Sequence, residues 1–187
     1  VDPKLTGDKS FKELCGAAVA FQTARALILK NFPAVPIDWS KWLLDAVAIA
    51  TVADMVPLVS ENRALVFYGL EVLKKTRRAG LLLLLEKLKI NKSAITEDDL
   101  AYMVAPRINS ASRMDHANTS FNLLVTDKQE EAKWLVTRID EKNLEQKALV
   151  EEVFNEISAI LNSREDLGEV IVLGDEKWPP AVMGIVC

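Results

Sequence analysis

Leu43-Leu44-Asp45-Ala46-Val47-Ala48-Ile49-Ala50-Thr51-Val52-Ala53-Asp54-Met55-Val56-Pro57-Leu58 is the stretch on which the reading of the fold turns. Its residues are apolar almost all round a helical wheel. A helix read here, over Trp39 to Val52 with Asp38 as its N-cap, therefore lies buried inside a larger body. Pro57 closes the segment. Asp54 falls at the C-terminal end of the apolar run, where a carboxylate faces the negative end of the helix dipole, unfavourable by roughly 0.3–1 kcal/mol. Burial with the helix would also strip its hydration. A divalent cation such as Mn2+ or Mg2+ would compensate, because these ions prefer carboxylate oxygens. Backbone amides of the following turn would do so as well. Spacing alone leaves both open.

The residues around this stretch read mostly as helix. Phe11 to Lys30 carries Leu14, Ala18, Phe21, Arg25 and Ile28 at three-to-four spacing and stops before Pro33 and Pro36. Glu61 to Lys75 is amphipathic, and Gly80 to Leu88 is a short leucine-rich helix whose Leu81 to Leu85 belong to a core or to an interface with residues outside this chain. Thr96-Glu97-Asp98-Asp99 resembles a capping box opening a short helix, Leu100 to Val104, which Pro106 interrupts; Arg107 to Asp115 is then expected to be irregular. His116 to Val125 is helical again, and Thr126 or Asp127 caps the next element. From there to Ser163 no Pro or Gly appears, so one helix of about 36 residues, about 54 Å long, can form. Its ends are apolar and its middle, Asp140 to Lys147, has only Leu144, a pattern suited to a connector between two bodies. Two antiparallel helices turning near Lys142-Asn143 remain the alternative. Val170-Ile171-Val172-Leu173 reads as a buried strand. One strand is not stable alone, so the expectation is a piece of a longer protein.

Composition limits the chemistry. Half of the 187 residues are hydrophobic and 27% are charged, which supports a packed core and excludes wholesale disorder. The longest uncharged apolar run, Ala46 to Ala53, is far below the roughly 20 residues a bilayer requires. Two cysteines, Cys15 and Cys187, make no disulfide framework and fit a reducing cytoplasm. The net charge is −4, but it is unevenly spread: 10 Lys/Arg against 6 Asp/Glu from Glu61 to Arg113, and 6 against 12 from Asp127 to Glu169. A polyanion can still be held by a local basic surface or a bound cation. With His116 as the only histidine, a His-rich zinc site or a Ser-His-Asp triad within this chain is disfavoured.

Two blocks resemble a known family. Leu43 to Leu58, continued by Glu61-Asn62-Arg63, is similar to the fourth motif of DHH-superfamily phosphoesterases in their RecJ form. Ala105-Pro106-Arg107-Ile108-Asn109-Ser110-Ala111-Ser112-Arg113-Met114 is similar to the A-P-R-I-N-A-A-G-R-M block of the same enzymes, with Ser112 where glycine is usual. If that glycine needs positive φ, Ser112 carries a backbone cost. Weaker matches are Phe11 to Phe21, and Gly174 with Trp178-Pro179-Pro180-Ala181-Val182-Met183-Gly184-Ile185-Val186, which looks like the start of a DHHA1 domain with Ala181 for a usual glycine.

The resemblance implies a mainly α piece of an α/β parent. Residues 1–125 would be the C-terminal part of a DHH domain with a DNA-facing loop, 126–165 a connector helix, and 166–187 the start of a DHHA1 domain. It implies Asp54 as a ligand of a catalytic Mn2+ or Mg2+ pair, and Arg107, Asn109 and Arg113 along the path of single-stranded DNA. The D-x-D, lone Asp and D-H-H motifs that supply the other ligands would precede Val1, and the rest of DHHA1 would follow Cys187. The implied parent reaction is metal-dependent hydrolysis of single-stranded DNA from the 5′ end in repair and recombination, with this chain alone inactive. A DHH phosphoesterase of short oligonucleotides and an inactive RecJ-like nucleic-acid-binding protein are the alternatives. Without the resemblance, the arginines could equally cap helices or pair with the acidic connector. Lys74-Lys75-Thr76-Arg77-Arg78 reads as a solvated helix end or a weak phosphate contact, and His116 as a loop or helix-start residue.

Overall fold

The computed structural model describes residues 13–164 and 168–186. Its elements are α1 (Gly16–Asn31), a 3-10 turn (Ile37–Leu43), α2 (Leu44–Ala53), α3 (Ser60–Leu73), α4 (Ala79–Lys87), a 3-10 turn (Lys92–Ala94), α5 (Glu97–Asp99), a π turn (Leu100–Val104), α6 (Ala105–Met114), α7 (Ala117–Val125), α8 (Gln129–Asn162) and α9 (Pro180–Val186). No strand forms among the described residues. Phe11 and Lys12 of the first expected helix lie outside them, and the helix itself begins at Gly16, capped by Cys15.

The core follows the apolar spacing. Leu73, Leu81, Leu84, Leu100, Leu123, Leu135 and Ile139 are among its fully enclosed side chains. They draw α2, α3, α4, α6, α7 and the first half of α8 around one apolar centre. Two glycines permit the closest approaches. A Cβ at Gly69 would strike Ala48 and the Leu44 carbonyl, so α3 can lie tight on α2; one at Gly80 would strike the Leu123 carbonyl, so α4 can lie tight on α7. The α2 helix is wrapped by this body, with Val47, Ala48, Ile49, Thr51 and Val52 all buried.

Several expectations change. The helix expected over residues 39–52 splits: Ile37–Leu43 winds as 3-10, with Ser40 Oγ donating to the Ile37 carbonyl at 2.6 Å, and the α-helix begins at Leu44. Asp38 is therefore not an N-cap and pairs with Lys41 at 2.7 Å. The Thr96–Asp99 capping box forms as read. The irregular stretch does not: the chain is helical from Glu97 to Met114. The π turn lets Ala105 N–H reach back to the Leu100 carbonyl, and Pro106 then occupies the first turn of α6, where its missing N–H costs nothing. Ser112 accordingly has no positive φ; it is helical, and its Oγ donates to the Ile108 carbonyl.

One continuous helix of 34 residues, α8, replaces the two-helix alternative. Its N-cap is Lys128, with no side-chain cap; Thr126 Oγ1 instead accepts from the Lys128 N–H and donates to Glu131. The polar middle of α8 is not bare. Asn143 and Gln146 are buried, and Asn143 Nδ2 donates to the Pro106 carbonyl, while Leu144 is exposed. Beyond it, Val153 meets Trp178 and Val182 in a smaller apolar cluster, and Trp178 Nε1 donates to Glu156 at 2.8 Å. The buried strand expected at residues 170–173 does not form: this segment has no partner strand among the described residues, and Val170 and Val172 are 80% and 83% exposed. Of the four residues, Leu173 is the one that packs on the small cluster.

Candidate functional site

Asp54 is the C-cap residue of α2, its N–H bonded to the Ala50 carbonyl. It is not buried with the helix, so the loss of hydration that burial would bring does not arise. Its carboxylate is exposed, because the chain leaves α2 at Ala53 and turns through Met55 at a φ of 53°. No side-chain partner for Asp54 is present among the described residues. The backbone amides that could have engaged it do not. A solvent-facing carboxylate with no bound partner is chemically suited to ligate a cation, but one carboxylate holds no metal by itself. Among the described residues no group of three or more His, Cys, Asp or Glu converges on such a site.

The loop that follows is held from inside. Asn62, in the first turn of α3 and fully buried, donates through Nδ2 to the Pro57 carbonyl at 3.0 Å and the Glu13 carbonyl at 2.8 Å. Val56 packs on the small apolar cluster of Cys15, Ala18, Phe21 and Val47. Ser60, at a φ of 49°, starts α3.

The helix α6 separates the residues that the sequence placed together. Asn109 and Arg113 are four residues apart, share one face and are exposed. Arg107 turns to the other side. Its Nη1 donates to the Met103 carbonyl at 2.9 Å, and its Nε lies 3.4 Å from Asp140 Oδ1 on α8, with only 18% of the side chain exposed. Lys87 of α4 reaches the other Asp140 oxygen at 3.4 Å, so one connector carboxylate gathers cations from two helices. Arg113 makes no ion pair among the described residues; the neighbouring Asp115 pairs with Arg138 at 3.1 Å. His116 is the N-cap of α7, with Nδ1 accepting from the Asn118 N–H at 3.2 Å, which is the helix-start role.

The basic cluster at residues 74–78 is divided between the body and the solvent. Arg78 Nε donates to Asp45 Oδ2 at 2.7 Å and its Nη1 to the Leu124 carbonyl at 2.9 Å, while Thr76 is buried beside them. Lys74 pairs with Glu71, and this hydrogen bond holds the Glu71 carboxyl below its usual range. Lys75 and Arg77 remain exposed. A concavity of about 660 Å³ between α1, the first 3-10 turn and α3, lined by Phe21, Trp42, Tyr68 and Lys75 among others, includes none of Asp54, Arg107, Asn109 and Arg113.

Sequence reading missed three residues: Asp45 as the buried partner of Arg78, Asp140 as the junction of two cations, and Asn62 as the loop's anchor. Asp45 stands in the first turn of a helix, the favourable end for a carboxylate, and that was the one local signal among them.

No family model matches the chain. It is 35% identical over 187 residues to the single-stranded-DNA-specific exonuclease RecJ of Bacillus subtilis, covering 100% of this chain and 23% of that protein. It is 36% identical over 186 residues to RecJ of Thermus thermophilus, covering 100% of this chain and 26% of that protein. The fold matches the crystal structure of Thermus thermophilus RecJ in complex with Mn2+ at a TM-score of 0.85 and 35% identity, over 98% of this chain and 27% of that one. A crystal structure of exonuclease RecJ bound to manganese matches at a TM-score of 0.84 and 35% identity, over 98% of this chain and 45% of that one. The chain thus spans about a quarter of the length of these curated relatives.

Proposed function

We propose that this chain, homologous along its whole length to RecJ-type single-stranded-DNA exonucleases, is a working part of such an enzyme: it supplies one metal-ligating carboxylate and part of the strand-binding surface. The observation that carries the reading is Asp54. Within a segment that resembles the family's metal-binding motif, its carboxylate is exposed and unpaired among the described residues, free to accept a cation.

Mn2+ or Mg2+ fits this donor only as a shared guest. Asp54 would hold it together with carboxylates and histidine from the D-x-D and D-H-H motifs of the full-length protein. When bound, the cations supply an activated water and offset the charge that develops on the phosphodiester. The chain's own residues do the rest. Asp54 fixes where a cation can sit, and Asn109 and Arg113 offer an amide and a guanidinium fork to phosphate oxygens from the exposed face of α6. Arg107 acts behind them, clamping α6 to α8 through Asp140. The expected hydrolysis runs from the 5′ end of single-stranded DNA in repair and recombination, in the cytoplasm, with this segment inactive by itself. No helix among the described residues is long and apolar enough to cross a membrane. We place the DHH part at residues 1–125, the connector at 126–165 and the DHHA1 start at 166–187.

The test uses the full-length protein carrying this segment. Asp54→Ala is expected to reduce Mn2+-dependent cleavage of a 5′-labelled single strand to background while strand binding without metal stays within about twofold, because arginines and lysines carry the phosphate affinity. Near-normal turnover of the variant at saturating Mn2+ would remove Asp54 from the site.

A further inference from the structure

Between α2 and α3 the chain makes a reversal with two non-glycine residues in the left-handed region, Met55 and Ser60. L side chains disfavour that conformation, so the loop persists only where its surroundings hold it. Among the described residues, one side chain hydrogen-bonds to the backbone of residues 54–59, and it is Asn62. Its amide nitrogen directs its two N–H groups to two carbonyls from segments 44 residues apart in sequence, Glu13 and Pro57. The first leads into α1; the second lies three residues after Asp54. Asn62 is 0% exposed, and its Oδ1 has no partner among the described residues. An asparagine buried with an unsatisfied acceptor is costly, and the two bridging bonds are what offset that cost.

We infer that Asn62 is the positioning residue of the Asp54 loop, locking Pro57 to Glu13 so that the Asp54 carboxylate is presented at a fixed place relative to the chain that enters α1. The inference rests on the proposed role of Asp54 as a ligand. The chemistry suits asparagine specifically. A planar NH2 with donors splayed by about 120° spans two carbonyls; an aspartate would set an acceptor against two acceptors, and alanine has no donor at all. A group hydrogen-bonded directly to a metal ligand is worth about 10- to 100-fold in metal affinity, and an anchor acting through Pro57 is expected at the lower end of that range.

The experiment is a Mn2+ titration of the full-length protein, followed by the electron paramagnetic resonance signal of free Mn2+, on wild type and on Asn62→Ala, Asp54→Ala and Thr51→Val. Thr51 is equally buried one turn before Asp54, donates to the Val47 carbonyl and lies 3.3 Å from Cys15 Sγ, and it makes no hydrogen bond to residues 54–59, so its variant reports the loss of a buried hydroxyl with the loop's anchor intact. Asn62→Ala is expected to weaken Mn2+ binding about 10-fold or more, to raise by a similar factor the Mn2+ needed for half-maximal cleavage, and to leave single-strand binding without metal unchanged. Thr51→Val is expected to lower the melting temperature with Mn2+ affinity unchanged. Should Asn62→Ala fail to fold, Asn62→Ser keeps one donor and is expected to weaken Mn2+ by a smaller factor. Wild-type Mn2+ affinity in the folded Asn62 variant, beside a clear loss in Asp54→Ala, overturns the inference and leaves the role of Asp54 standing. Wild-type affinity in Asp54→Ala overturns the role of Asp54, and the inference with it.

Discussion

The two ends of α2 carry one aspartate each, in opposite circumstances. Asp45, in the first turn, is 2% exposed and fully engaged: Arg78 at 2.7 Å, Thr76 at 3.5 Å and its neighbour's N–H, Ala46, at 2.7 Å. The positive end of the helix dipole favours it. Asp54, at the far end, faces the negative end of the same dipole, is exposed and has no partner among the described residues. One helix thus holds a carboxylate whose charge is tied into the fold beside one whose charge is uncommitted. The arginines of α6 repeat the pattern, Arg107 bound inward to Asp140 and Arg113 left outward. In both pairs, it is the unpaired member that is available to a ligand.

The largest expected effect tests the engaged end. Arg78→Ala strands Asp45 without its guanidinium and is expected to cost about 3 kcal/mol in urea unfolding, the lower part of the range for a broken buried pair because Arg78 is 29% exposed. Arg78→Lys should recover only part of it, since an ammonium cannot span both Asp45 and the Leu124 carbonyl. A cost below about 1 kcal/mol would erase the contrast between the two ends.

Next in size is the division within α6. Arg107→Ala is expected to cost about 1–2 kcal/mol, from the lost bonds to Met103 and Asp140, with the salt dependence of single-strand binding unchanged. Arg113→Ala is expected to do the reverse: stability within about 0.5 kcal/mol, and a slope of log affinity against log salt shallower by roughly 0.7. The loss should be similar for different base sequences, because phosphate contacts carry no sequence information. If the two variants exchange phenotypes, Arg107 faces the strand and Arg113 the body.

The smallest effect belongs to the uncommitted end. Asp54→Asn removes a negative charge from a helix C-terminus, so in metal-free buffer it is expected to stabilise by about 0.3–1 kcal/mol, shrinking as salt is added. Destabilisation by that amount would reveal a partner for Asp54 and weaken its assignment to a cation.

Much of this architecture was open to reading along the chain, where the signal was periodic or local. The Thr96–Asp99 capping box, the amphipathic α3, the leucines of α4 and the unbroken α8 follow from spacing, from short-range hydrogen bonds and from the absence of Pro and Gly. The order of the blocks around Asp54 and Arg107 was enough to suggest the relatives that the whole chain then matched. Local rules failed where a local signal was overruled. Pro106 reads as a breaker, yet a π turn ahead of it hands the helix on, and packing of α6 against α8 offsets the irregularity. Val170 to Leu173 has strand composition, but strand pairing needs a second strand, and none lies beside it among the described residues.

Residue type and spacing were sufficient to say which positions carry charge into the candidate site. Which of those charges are already taken was decided by contacts between distant segments: Asp45 with Arg78 across 33 residues, Arg107 with Asp140 across 33, Asn62 with Glu13 across 49. A charge's partner depends on which surfaces the core brings within about 3–4 Å, and hydrophobic packing sets that without regard to sequence distance.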